Sequence, residues 1–98
     1  MELPSDLIEL QHAYRAAEQT YADYVTEVET RRRTEHPDDI VARRSWTDDE
    51  RAEDARLREA VAAAASAVYA HPALGEARTA GQHYKTWQAL KDVTRAAA

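Results

Sequence analysis

The stretch RRRTEHPDDIVARRSWTDDE, residues 31–50, contains the end of one predicted helix and the start of the next. His36-Pro37 ends the first helix, because the residue before a proline avoids the helical backbone region. Thr47-Asp48-Asp49-Glu50 has the pattern of a capping box, in which the side chains of Thr47 and Glu50 each bind a free amide of the first turn. The stretch therefore predicts the connection of a helical hairpin.

Upstream of this connection, apolar residues follow an uninterrupted helical period. They occupy Leu3, Leu7, Leu10, Tyr14, Ala17, Tyr21, Tyr24 and Val28. Their spacings alternate between four and three residues, which is the a/d pattern of a coiled-coil seam. We expect a first helix over about residues 6–34, with Ser5 at its N-cap. The seam ends at Arg31, where the next position is charged.

Two further helices are predicted downstream. The second should cover about residues 48–70, and its apolar face contains Leu57, Val61, Ala64 and Val68. His71-Pro72 ends it, and a third helix should cover about residues 73–95. Gly81 lies inside that third helix, where glycine costs about 1 kcal/mol, so we expect another backbone to approach closely there.

These elements define the predicted fold: a single all-α domain over residues 1–98, built as a three-helix antiparallel bundle. The long N-terminal helix forms a hairpin with helix 2, and helix 3 folds back, with Tyr84 and Trp87 covering the remaining face. Residues 35–47 form a charged linker with room for one turn around Ile40 and Val41. In the alternative arrangement, the first helix satisfies its seam against its own copy in another chain.

The register of the hairpin can be predicted from the position of its connection. If the helices close near Thr34 and Asp48, the numbers of facing residues should add up to about 82. Tyr14 would then face Val68, and bulky seam residues would pack on the small residues of helix 2.

The positions of most charged residues in 31–50 are explained by the electrostatics of the predicted helix ends. The arginines at 31–33 lie in the last turn of a helix and the acids at 48–50 in a first turn, where the helix dipole favours each. A second interpretation makes Arg31–Arg33, Arg43 and Arg44 an anion pocket. Separately, Trp46 either anchors the helix corner or is an exposed partner contact, since tryptophan and arginine are frequent at interaction hot spots. The candidate partner-binding residues are Trp46, Arg31, Arg32, Arg33, Arg43 and Arg44.

Composition argues against several classes of protein. The net charge of −5 disfavours nonspecific binding to nucleic acid. The chain has no cysteine, and its one Glu-x-x-His pair, Glu9 and His12, lacks the second pair that a diiron bundle needs. We therefore expect no enzyme, catalytic residue, cofactor or metal. Without a signal-peptide pattern or a long apolar stretch, we expect a cytoplasmic protein that does not enter membranes.

The function predicted from the sequence is a small protein–protein interaction module, an adaptor or regulatory partner that forms a homodimer or binds another protein. Fourteen Leu, Ile and Val residues make a thin core, which burial against a second chain would complete. The first alternative is a nucleic-acid accessory protein that uses Arg31–Arg33, Arg43 and Arg44. The second alternative is a secreted helical hairpin of the WXG100 type. The chain resembles that family in its length, its acidity and its mid-chain tryptophan. Trp46-Thr47-Asp48 lacks the glycine of that motif, and Gln88 replaces the acid expected four residues after Tyr84.

Overall fold

The structure of the protein is a computed structural model that describes residues 1–96. Its helices are α1 (Ser5–Glu35), α2 (Ile40–Arg44), α3 (Asp48–Tyr69), α4 (Pro72–Thr79) and α5 (His83–Ala96). These residues contain no β-strand. The all-α prediction is therefore confirmed.

α1 and α3 form the predicted hairpin. The seven seam residues in α1, and Leu3 just before it, are buried or half-buried, and Leu7 and Val28 are fully buried. On the facing side, Leu57 and Val68 are buried. One turn beyond Val28, the buried line of α1 continues with Arg32. The seam thus lies inside the hairpin of one chain.

The two long helices begin in different ways. The capping box of α3 is confirmed: the Thr47 hydroxyl accepts from the Glu50 amide at 3.1 Å, and a Glu50 carboxylate oxygen accepts from the Thr47 amide at 2.8 Å. The predicted N-cap of α1 is wrong, because Ser5 is already helical and Pro4 precedes it without a side-chain cap. Proline fixes the backbone φ near its helical value, so the helix can start one residue earlier.

The prediction of three helices is wrong, because residues 1–96 form five. The linker contains α2, whose first turn is capped by the Asp39 side chain accepting from the Ala42 amide. The helix predicted over residues 73–95 is split into α4 and α5 near Gly81, whose φ is +70°. Among residues 1–96, no atom other than those of its chain neighbours lies within 4 Å of a Cβ placed there, so a close backbone approach is not the reason for this glycine.

The largest apolar core lies at the open end of the hairpin. It consists of Leu7 on α1, Val68 on α3, Leu74 on α4 and Leu90 on α5, with Trp87 packed against it. α5 folds back onto α1 and α4. The prediction that Tyr84 also belongs to the core is wrong, since 78% of its surface is exposed.

The molecule is a rod of 56 × 24 × 20 Å. The closed end of the hairpin and the Leu7 core lie towards opposite ends of α1, whose 31 residues span roughly 46 Å. Across residues 1–96, no helix has the length and apolar character needed to cross a bilayer.

The two glycines of the chain should respond to alanine substitution with opposite signs. Gly81→Ala should destabilise the protein by about 1–2 kcal/mol, because a side chain disfavours the positive φ. Gly75→Ala should stabilise it by about 0.5–1 kcal/mol, because Gly75 is inside α4 and a Cβ there meets its nearest neighbour at 3.8 Å. Urea unfolding of both variants measures the difference. Equal effects of the two would contradict the αL turn at Gly81.

Candidate functional site: the Trp46 corner

Trp46 lies at the closed end of the hairpin, between α2 and α3. Its ring packs edge-to-face on Tyr24 of α1, with 6.2 Å between ring centroids. Such aromatic pairs add about 0.5–1.5 kcal/mol beyond the burial of their surface. The contact holds Trp46 half-buried, so that one part of the indole fixes the corner and the rest faces solvent.

Arg31 and Arg32, two of the predicted site residues, are bound to Glu50. Arg31 Nη2 lies 2.5 Å from Glu50 Oε2, and Arg32 Nη2 donates to Glu50 Oε1. The other terminal nitrogen of Arg32 donates to the Ala42 carbonyl at 2.9 Å. These bonds fasten the end of α1 to α2 and to the start of α3. Both arginines are therefore held in the structure of the corner, and Arg32 is only 7% exposed.

The Glu50 carboxylate is strongly stabilised in its charged form. Its pKa is lowered from 4.5 to about 2, first by the hydrogen bond from the Thr47 amide and then by the bonds from Arg32 and Arg31. A carboxylate that accepts several charged or amide donors holds its charge in this way. Glu50 therefore caps the start of α3 and also joins α3 to α1 through charge-assisted hydrogen bonds.

Arg43 is also partly occupied. Its Nε donates to the His36 carbonyl at 2.9 Å, and a terminal nitrogen donates to the Pro37 carbonyl. The side chain thereby binds two free carbonyls just beyond the end of α1, where the helix dipole favours a cation. The half-buried guanidinium keeps a fixed position beside Trp46.

Two clefts flank Trp46. The larger, of about 420 Å³, is lined by Glu29, Arg33, Ile40, Arg43, Arg44 and Trp46. The smaller, of about 250 Å³, is lined by Arg44, Trp46, Arg51, Asp54 and Arg58. We call this surface the Trp46 corner. It brings together four of the six predicted residues, namely Trp46, Arg33, Arg43 and Arg44.

Arg33 and Arg44 differ from Arg31 and Arg32 in their lack of an acidic partner among residues 1–96. Within residues 1–96, neither Arg33 nor Arg44 has a carboxylate oxygen within 4.0 Å. Of the two acids in the clefts, Asp54 is paired with Arg58 at 3.0 Å. Arg44 borders both clefts, so its guanidinium can serve a ligand on either side of the indole.

Five residues of the corner were not among the predicted site residues: Glu29, Ile40, Arg51, Asp54 and Arg58. A signal for the two arginines was present, because Arg51, Asp54 and Arg58 follow one another at helical spacings of three and four. Arg58 also packs on α1, where its Nε donates to the Tyr21 hydroxyl at 3.0 Å. The helical spacing alone could not show that this row lies beside Trp46.

A second polar contact closes the opposite end of the hairpin. His71 caps α4, with its Nδ1 accepting from the Ala73 amide at 3.0 Å, as expected for a histidine at a helix boundary. Its Nε2 lies 3.1 Å from Asp6 of α1. The pKa of Asp6 is lowered, mainly by the hydrogen bond from His71. This contact joins the first turn of α1 to the start of α4.

Comparison of the chain with protein-family models, with curated proteins and with solved structures gives no match. In the part of the chain that the structure describes, no three His, Asp or Glu side chains are grouped to hold a metal ion.

Proposed function

We propose that this chain is a small, non-enzymatic protein–protein interaction module that acts through the Trp46 corner and associates with a second copy of itself. The observation that supports it best is the combination, on one surface, of a fixed tryptophan, arginines without an acidic partner among residues 1–96, and an exposed apolar side chain. Ile40 lines the larger cleft, and 60% of its surface is exposed. Tryptophan and arginine in such surroundings dominate the energy of many protein interfaces.

The shape of the molecule supports association with a second chain. Its radius of gyration is 18.0 Å, whereas a compact domain of this length has about 13 Å. Its accessible surface is 6778 Å², about a fifth more than a compact monomer of this mass exposes. A rod with so little interior gains stability when a further chain covers part of its length.

Light scattering over a hundredfold range of concentration tests the self-association. We expect a mass of twice the 11.1 kDa of the chain. A mass of one chain at every concentration would remove the homodimer from the proposal and leave a different protein as the partner.

Nucleic acid is the second candidate partner, because Arg33, Arg43 and Arg44 line the same cleft of the corner. The net charge of −5 and the Glu29 carboxylate in the same cleft count against it, since a polyanion is repelled by both.

A further inference from the structure

The Trp46 corner carries a local positive charge on an acidic protein. Arg31 and Arg32 share the Glu50 carboxylate, Arg31 is also paired with Glu27, and Arg58 is paired with Asp54. Arg33 and Arg44 have no acidic partner among residues 1–96, and both line the larger cleft together with Trp46. A local positive patch of this kind attracts anions at short range, within about 10 Å at ordinary salt.

An apolar contact lies beside this charge. Ile40 borders the larger cleft together with Trp46, and 60% of its surface is exposed. An inorganic anion would use only the arginines and leave these side chains in water. The occupant that satisfies both components has carboxylates and at least one bulky apolar side chain.

We infer that the Trp46 corner binds an acidic segment of a partner protein, which seats an apolar side chain against Trp46 and Ile40 and places carboxylates on Arg33 and Arg44. This inference rests on the proposed function and names the chemistry of the partner. Arginine binds carboxylates through paired, charge-assisted hydrogen bonds, so two such contacts also fix the direction of the segment.

An acidic segment fits the corner better than a nucleic acid does. A short peptide brings a few charges to two arginines, whereas a nucleic acid extends a dense row of phosphates over the acidic remainder of the chain. Glu29 and Asp54 at the cleft borders select against such a continuous polyanion and leave room for separated carboxylates.

Selection from a library of random peptides tests the inference directly. Peptides of about eight residues suffice, because they span about 25 Å when extended. We expect enrichment of sequences in which Asp or Glu flanks a Leu, Phe or Trp. Binding of a labelled selected peptide, followed by fluorescence anisotropy, should weaken about tenfold in Arg33→Gln and in Arg44→Gln and should decline with added salt.

Arg56→Gln is the matched control. Arg56 lies on α3, outside both clefts, and is paired with Glu53. This variant loses the same charge as the Arg33 and Arg44 variants. Because Arg56 lies outside the clefts, the affinity for the selected peptide should stay unchanged. Ile40→Ser tests the apolar contact, since replacing Trp46 itself would also remove the packing on Tyr24.

The possible outcomes separate the inference from the proposed function. Selection of uncharged peptides that Ile40→Ser no longer binds would overturn the acidic partner and keep the corner as an interaction site. The same selection can be repeated on the triple variant Arg33→Gln, Arg44→Gln, Ile40→Ser. If the wild type enriches no peptides beyond those that this variant enriches, both the acidic partner and the role of the corner as an interaction site are overturned. Tighter binding of random-sequence DNA would overturn the inference in favour of nucleic acid. A dimer mass that falls to one chain in Arg44→Gln would identify a second copy as the occupant instead.

Discussion

Replacing Glu50 with alanine should lower the free energy of unfolding by about 3–5 kcal/mol, because it leaves the buried guanidinium of Arg32 without a counter-charge. The same substitution removes the carboxylate that binds Arg31 and the side-chain half of the α3 capping box. A domain of this size is stable by about 5–15 kcal/mol in total. The loss should therefore be visible as a large shift of the urea midpoint, followed by circular dichroism.

Glu53→Ala is the control for this variant. Glu53 lies one turn further along α3 and pairs with Arg56, whose side chain is 67% exposed. An exposed pair contributes at most about 1 kcal/mol, so this variant should unfold close to the wild type. If the two variants lose equal stability, the Glu50 cluster does not hold the hairpin closed.

The acid limb of the stability curve gives a second readout of the Glu50 variant. The pKa of Glu50 is about 2 in the folded protein, whereas the ordinary value for a glutamate is 4.5. A lowered carboxyl pKa stabilises the fold above pH 4.5, and this contribution, about 3 kcal/mol, is lost as the pH falls towards 2. In Glu50→Ala this part of the pH dependence should be missing.

Replacing Leu90 with alanine should cost about 2–5 kcal/mol, the range for a fully buried leucine whose neighbours cannot close the cavity. Leu90 has no exposed surface and packs with Leu7, Val68 and Leu74 from three other helices. Such a small core offers few alternative packings. The loss should appear in urea unfolding, and amide exchange in α5 should accelerate because Leu90 is a fully buried side chain that packs this helix on the core.

Val93→Ala provides the comparison within the same helix. Val93 is 43% exposed, so its truncation removes little buried surface and should cost less than about 1 kcal/mol. A Leu90 variant as stable as the Val93 variant would show that α5 is fixed by other contacts.

The hairpin could be predicted from the sequence because the signals that end and start its helices are local. His36-Pro37 and the Thr47–Glu50 capping box set the connection through backbone geometry alone. The break at Gly81 had a signal, since glycine is the usual residue for a positive φ. The same sequence is also consistent with a continuous helix in which Gly81 allows a close packing contact. Only the backbone conformation distinguishes this from a helix break.

The role of Arg32 lay partly within reach of the sequence. The predicted register, in which facing numbers add up to about 82, already pairs Arg32 with Glu50, whereas helix-end electrostatics alone explained each charge separately. The contact between Asp6 and His71 lay beyond reach, because it depends on how the chain turns after α3. The position of Arg51 and Arg58 beside Trp46 depends likewise on the path of α2.

The closed end of the hairpin has a consequence for the order in which the chain folds. Arg32 and Glu50 are 18 residues apart, whereas Leu7 and Val68 are more than three times as distant in sequence. Loop-closure entropy makes the longer loop about 1 kcal/mol more costly to form. The corner should therefore assemble first and the helices zip together towards the Leu7 core, so that substitutions at Glu50 slow folding and those at Leu90 accelerate unfolding.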